Sequence, residues 1–408
     1  MPLEPVVTAS PFEHVALAPR DPILGLNESF NADPRPGKTN LGVGVYLSED
    51  GCVPLLDAVR EAEALRLASP PPRSYLPIDG IAAYNSAAQQ LLFGSASPLL
   101  ADGRVVTIQA LGGTGALKVG ADFLKQLSPQ AEVLISDPSW ENHRALFEAA
   151  GFSVRNYPYY DAATHGLNFP GMLAALEAAA PRTIVVLHAC CHNPTGVDLD
   201  LAQWGQVIDV LRSRELMAIV DIAYQGFGDG LDADAFLLRA MAEAELEFLV
   251  ASSFSKSFSL YGERVGALSI VTASRDESSR VLSQVKRTIR TNYSNPPTHG
   301  ASVVAAVLVT PKLRTLWEEE LASMRERIRA MRTGLVERLT QRIPGIDFGF
   351  VTRQRGMFSY SGLNAAQVER LKNEFGIYAV SSGRICVAAL NTRNLDPVAD
   401  AIAAVSSR

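Results

Sequence analysis

Along the middle of the chain, short β-rich apolar runs are separated by longer stretches of mixed, helix-like composition. The runs are RVVTIQA (104–110), EVLISD (132–137), TIVVLHA (183–189), LMAIVD (216–221), EFLVAS (247–252) and VGALSIV (265–271). Near-continuous apolar strands separated by helical segments are what a sheet covered by helices on both faces requires. The pattern therefore predicts an α/β fold with a mostly parallel sheet. Ligands of such sheets bind beyond the carboxyl ends of the strands, which directs attention to the residues closing each run.

After Pro311 the period changes. Leu313, Trp317, Leu321, Met324, Ile328, Met331, Leu335 and Leu339 recur every three or four positions with Arg and Glu between them. That spacing predicts one long amphipathic helix over 313–340, stopped by Pro344-Gly345, with a shorter α+β stretch following to Arg408. The expected organisation is an N-terminal arm (1–20), a large domain (53–312), and a smaller α+β domain formed by 21–52 together with 313–408.

Composition narrows the class. The 408 residues are 47% hydrophobic and 20% charged, ordinary values for a globular chain long enough for two domains. Thirty-seven basic against 43 acidic residues give a net charge of −6, the wrong sign for a nucleic-acid partner. The N-terminus has no basic stretch followed by an apolar core, and runs such as Val303 to Val309 are too short to span a bilayer. A cytoplasmic protein without a membrane partner is expected. Four cysteines are no disulfide framework, and Cys190-Cys191-His192 are too close in sequence to converge readily on one metal, so buried thiols and no metal are expected.

Chemistry gathers at the run ends. SSFSKSF puts Lys256 four residues after Ser252. Taken alone, it reads first as an exposed loop lysine. A lysine partly buried at a strand end among hydroxyls is also what a Schiff-base amine near a phosphate needs. Asp221 closes LMAIVD and suits either a cap or a carboxylate pairing with a protonated pyridine nitrogen. In HNPTG, Asn193 belongs to a turn whose amide can face a ligand. GGTGAL (112–117) opens a helix whose backbone N–H groups can hold phosphate, but Lys118 stands where a dinucleotide fingerprint needs its third glycine.

Taken together, GGTGAL, DPSWENH, HACCHNPTG, DIAYQGF, SSFSKSF, ERVGA and RTNYSNPP resemble class I aminotransferases of the aspartate/aromatic subgroup, from DPILGLNESF at residue 21 to SSGRICVAAL ending at residue 390. The resemblance implies the pyridoxal-phosphate fold of that family (fold type I). It implies that Lys256 carries pyridoxal 5'-phosphate as a Schiff base and shuttles the substrate proton. Asp221 would face the ring nitrogen, Tyr224 and Asn193 the ring oxygen, and Trp140 would stack on the ring. Gly113, Thr114, Ser253, Ser255 and Arg264 would hold the phosphate, joined by Tyr75 from a neighbouring subunit, which makes a homodimer the working unit.

For substrates, the resemblance implies Arg384 on the α-carboxylate, aided by Asn193 and Gly44, and Arg290 of the other subunit on a distal carboxylate. The implied reaction is ping-pong transamination of aspartate, tyrosine or phenylalanine with 2-oxoglutarate, through a pyridoxamine phosphate form. Leu47 and Val53 are expected as apolar rim residues favouring an aromatic ring, whereas Thr114 and Asn295 look like the aspartate-specialised pattern. Gly262 stands where many relatives have Asn. The alternatives are another reaction of the same cofactor, decarboxylation or elimination, or a non-catalytic ligand-sensing domain; a chain that begins almost at the fold and keeps the lysine site disfavours the latter.

Overall fold

Seven strands form the central sheet of the computed structural model, which describes residues 10–18, 23–70 and 72–406. They are β1 Val105–Leu111, β2 Glu132–Asp137, β3 Ser153–Pro158, β4 Ile184–His188, β5 Met217–Ile222, β6 Phe248–Ser253 and β7 Val265–Val271. Their spatial order is β1-β7-β6-β5-β4-β2-β3. Every neighbouring pair is parallel except those made by β7, which runs antiparallel to both β1 and β6. The mostly parallel α/β sheet expected from the apolar runs is present. Four of the runs begin one residue later than the sequence pattern, because Arg104, Thr183, Leu216 and Glu247 precede the ladders. The edge strand β3 gave no apolar run: only Tyr157 of its residues is buried, so nothing in its composition distinguishes it from a loop.

Both faces of the sheet are covered. Val185, Leu187, Val220 and Val250 point into one apolar cluster, and the alternate residues Ile184, Val186, Ile219 and Leu249 into another. The second cluster is closed by α1 (Gly112–Leu127), flanked by α2 (Glu141–Ala149), and by α3 (Arg275–Asn292). The first is continuous with the long helix α4 (Pro311–Arg342) and with α5 (Leu395–Ser406). All eight apolar positions of the predicted helical period are buried. The helix extends past 313–340 at both ends, since Pro311 occupies its first turn, where a missing N–H costs nothing.

The chain before residue 53 packs with the C-terminal stretch. Thr39–Asn40 pairs in parallel with Ile377–Tyr378, and Cys386 N–H donates to Leu41 O at 2.7 Å. β8 (Phe358–Tyr360) pairs antiparallel with β9 (Arg384–Cys386), which sets Arg384 opposite Tyr360. Of the expected arm, residues 1–9 and 19–20 lie outside the described residues, as do Asp21 and Pro22 of DPILGLNESF.

α4 also braces the lysine turn. Trp317, fully buried, stacks on Phe258 with centroids 4.6 Å apart and donates its indole N–H to Ser257 O at 2.7 Å. Trp317→Ala should lower stability by about 3–5 kcal/mol, as for large aromatic truncations. Trp317→Phe keeps the ring but strands the Ser257 carbonyl, for roughly 1–3 kcal/mol. Denaturant midpoints check both, and a wild-type midpoint for the alanine variant would contradict the bracing.

Candidate active site

The carboxyl ends of β4, β5 and β6, with the start of α1, surround a cavity of about 220 Å³. Twelve of the candidate residues line it: Gly44, Gly113, Thr114, Trp140, Asn193, Asp221, Tyr224, Ser253, Ser255, Lys256, Arg264 and Arg384. Each strand delivers its residue because its apolar run ends there and the chain must leave the sheet.

Lys256 lies in the turn between β6 and β7, partly buried, its Nζ 4.8 Å from the centroid of the Tyr224 ring. Burial pushes its amine down to about 8; Asp221 opposes that shift and the positive charge of Arg264 adds to it. Asp221, on β5, is itself buried, which alone would raise its carboxyl. The hydrogen bond from His143 and the charges around it more than offset this and hold it below the usual value. His143 Nε2 meets Asp221 Oδ2 at 3.1 Å, and Nδ1 meets Ser139 Oγ at 2.9 Å. An ionised carboxylate only accepts, so Nε2 carries the hydrogen of that bond.

One end of the cavity is built for an anion without a counter-charge of its own. α1 begins with Gly112, Gly113 and Thr114, and its cap residue Leu111 offers no side-chain acceptor to the first N–H groups. Gly112 has φ +69°, and an added Cβ would stand 2.6 Å from Arg264 Nη2, so glycine lets the guanidinium lie against the helix start. Arg264 Nη1 donates to Ser255 Oγ at 3.4 Å and to Tyr261 O at 3.1 Å.

At the other end, Arg384 is buried, its Nη1 donating to Asn193 Oδ1 at 3.1 Å and its Nη2 to Gly42 O at 2.7 Å. Its Nε has no partner, and no carboxylate pairs with it among the described residues. The guanidinium lies 4.3 Å over the Phe358 ring. Phe358 in turn explains Gly44, where a Cβ would come within 2.6 Å of the ring.

A phosphate-accepting helix start with serines and an arginine, a depressed lysine amine, a buried ionised aspartate and a flanking indole fit pyridoxal phosphate group by group. The Arg384 guanidinium, without a carboxylate partner among the described residues, fits a carboxylate beside it.

Tyr75 and Arg290 do not line this cavity. Tyr75 is 91% exposed, and exposed Arg290 bonds Ser294 Oγ just past the end of its own helix. Leu47 and Val53, expected at the rim, are also absent from it: Leu47 packs on the core, and Val53 is exposed. Asn295 is likewise not among the lining residues. Cys190 and Cys191 are buried free thiols, and His192 turns both nitrogens to Ser136 and Thr195 hydroxyls.

Sequence reasoning missed His188, Tyr261, Phe358 and Ile23 in the lining, and His143 behind Asp221. His188 ends β4 and was open to the strand-end rule. His143 sits within the quoted DPSWENH, whereas nothing local marks Phe358.

The aminotransferase class I and II profile matches residues 36–402. The chain is 68% identical over 394 residues to an aspartate aminotransferase of Pseudomonas aeruginosa, covering 97% of this chain and 99% of that one. It is 54% identical to an aromatic-amino-acid aminotransferase of Escherichia coli, covering 97% and 100%. Among solved structures, an aromatic-amino-acid aminotransferase from Burkholderia pseudomallei, covalently bound to pyridoxal phosphate, superposes with a TM-score of 0.96 at 69% identity, covering 97% of this chain and 100% of that one. With its fold and nearly its whole length matched in this way, the chain belongs to the class I and II aminotransferase family.

Proposed function

We propose that the protein is a pyridoxal-phosphate-dependent aminotransferase acting on aspartate and aromatic amino acids with 2-oxoglutarate as acceptor. The observation that carries this reading is the pairing, in one cavity, of a lysine amine depressed to about 8 with a buried arginine lacking a carboxylate. When bound, pyridoxal phosphate supplies the electron sink that lets a proton leave the amino acid's Cα. Lys256 Nζ takes that proton and returns it two atoms away; an amine titrating near neutrality does both. Asp221, kept ionised by His143, holds a positive ring nitrogen in place. Burial keeps the Tyr224 phenol well above its usual range, so it stays a hydrogen-bond donor to the ring oxygen. Asn193 aims Arg384 at the α-carboxylate.

That grip separates the reading from decarboxylation. A carboxylate forked by a guanidinium that is itself fixed by Asn193 and Gly42 is stabilised where it stands and is not the group to depart. Tyr75 and Arg290, exposed and outside their own chain's cavity, suit contribution to a second copy, so the working unit is a homodimer. The division into 53–312 and 21–52 with 313–408 is proposed as the pair of bodies that enclose the substrate. A cytoplasmic location completes the proposal.

Three experiments test this. In cofactor-free protein, acylation of Lys256 by a neutral amine reagent, followed by mass spectrometry, should rise with pH around a midpoint near 8, against 10.5 for an ordinary lysine. The carboxylate of Asp221 raises that value, so Asp221→Ala should move the midpoint down; an upward move would contradict the electrostatics. Arg384→Lys cannot fork a carboxylate, and kcat/KM should fall by roughly two to three orders of magnitude, the scale of a broken buried pair. An unchanged value would remove Arg384 from the substrate. Finally, mixed dimers of Lys256→Ala and Arg290→Leu chains should regain about half of wild-type aspartate turnover, because one of the two shared sites is then intact. No recovery would mean that Arg290 serves its own chain.

A further inference from the structure

A second cavity, about 590 Å³, lies where the loop after β5, the middle of α4 and the segment before β8 meet. Its walls carry Arg329, Arg332, Arg353 and Arg355 against a single carboxylate, Asp229, an excess of three positive charges in a chain whose net charge is −6. Asp229 is already shared: Arg329 Nη2 reaches Oδ1 at 2.8 Å and Arg355 Nε reaches Oδ2 at 2.7 Å. Glu326 sits on the other nitrogen of Arg329 at 3.0 Å and does not line the cavity. Buried Asp198, which acts on Arg332 and Arg355 electrostatically, is turned to the backbone N–H groups of Cys191 and His192.

Two of the arginines pair with no carboxylate among the described residues. Arg353 is exposed on the rim. Arg332 is 3% exposed, and its terminal nitrogens donate to the carbonyls of Val351, Gly356 and Phe358. A buried guanidinium held only by carbonyls keeps its full charge without neutralisation, and that charge is felt most strongly in the low-dielectric floor of the hollow. Arginine forks match the two-oxygen edges of phosphates and carboxylates, and several of them converging select against monovalent ions.

We propose that this cavity is a second binding site, for a small multivalent oxyanion, separate from the site around Lys256. Its volume admits a molecule with several anionic groups. It lies next to the first site: one of the three carbonyls that Arg332 holds belongs to Phe358, whose ring lines that site beneath Arg384. The loop on the opposite side, 226–229, follows Tyr224 after one residue, Gln225.

The test is calorimetric titration of the holoenzyme with inorganic pyrophosphate and, separately, with citrate, at ionic strength held constant with sodium chloride. In the holoenzyme the cofactor's own phosphate fills the anion subsite of the first cavity. At least one probe should bind, and Arg353→Glu should weaken it by at least about tenfold, since it both removes a fork and adds a like charge. Arg329→Gln should weaken binding less, and serves alone if the first variant does not fold. In chloride without either probe, both variants should keep wild-type kcat/KM, because neither residue belongs to the first site. Binding of pyrophosphate alone assigns a phosphate ligand, and binding of citrate alone a polycarboxylate. The proposal is overturned if neither probe binds at millimolar concentration, or if both variants bind as tightly as wild type.

Discussion

The site depends on one constraint, a lysine amine and an aspartate carboxylate held in a poorly solvated cavity at the carboxyl edge of the sheet. Desolvation drives both groups toward their neutral forms, and each counters that for the other. The balance is uneven. Lys256 ends depressed, while Asp221, supported by His143 and through it by Ser139, ends ionised. The result is an amine able to give and take a proton beside a permanent negative charge.

Such a balance requires walls that do not relax. Asp221 is fixed by the ladder of β5 between β4 and β6, where every residue of both neighbours is buried. Lys256 sits in a turn that cannot shift without disturbing Phe258 and Trp317. Arg384 comes from β9, on the other side of the cavity, and reaches the sheet edge through Asn193. The Arg384 guanidinium is thereby registered against the lysine by hydrogen bonds that cross between two parts of the fold.

Much of this was legible in the sequence for physical reasons. The strands that carry chemistry are buried on both faces, so their apolar runs were nearly unbroken, and the strand-end rule pointed to Asp221 and Lys256. β3 was illegible because an exposed edge strand needs no apolar run. Arg384, Gly44 and Arg264 gave no signal of their own, since an arginine's burial depends on what packs over it; only the resemblance singled them out. Phe358 and the three imidazoles behind Asp221 belong to tertiary packing, and no local pattern encodes that His143, His188 and His192 pack in a row, the first pair tilted and the second edge to face. Leu47 and Val53 lie outside the lining of their own chain's cavity, and an apolar residue near a motif says nothing about which hollow it faces.

The most direct measurement is a single half-reaction. The holoenzyme is mixed with tyrosine or aspartate in the absence of any 2-oxo acid, and products are counted per chain. A transaminase that keeps the carboxylate on Arg384 and moves one proton through Lys256 must retain the amino group. The account predicts about one equivalent of 2-oxo acid per chain, with neither ammonia nor carbon dioxide released and no further turnover until 2-oxoglutarate is added. Continuous release of carbon dioxide or ammonia without an acceptor would contradict it.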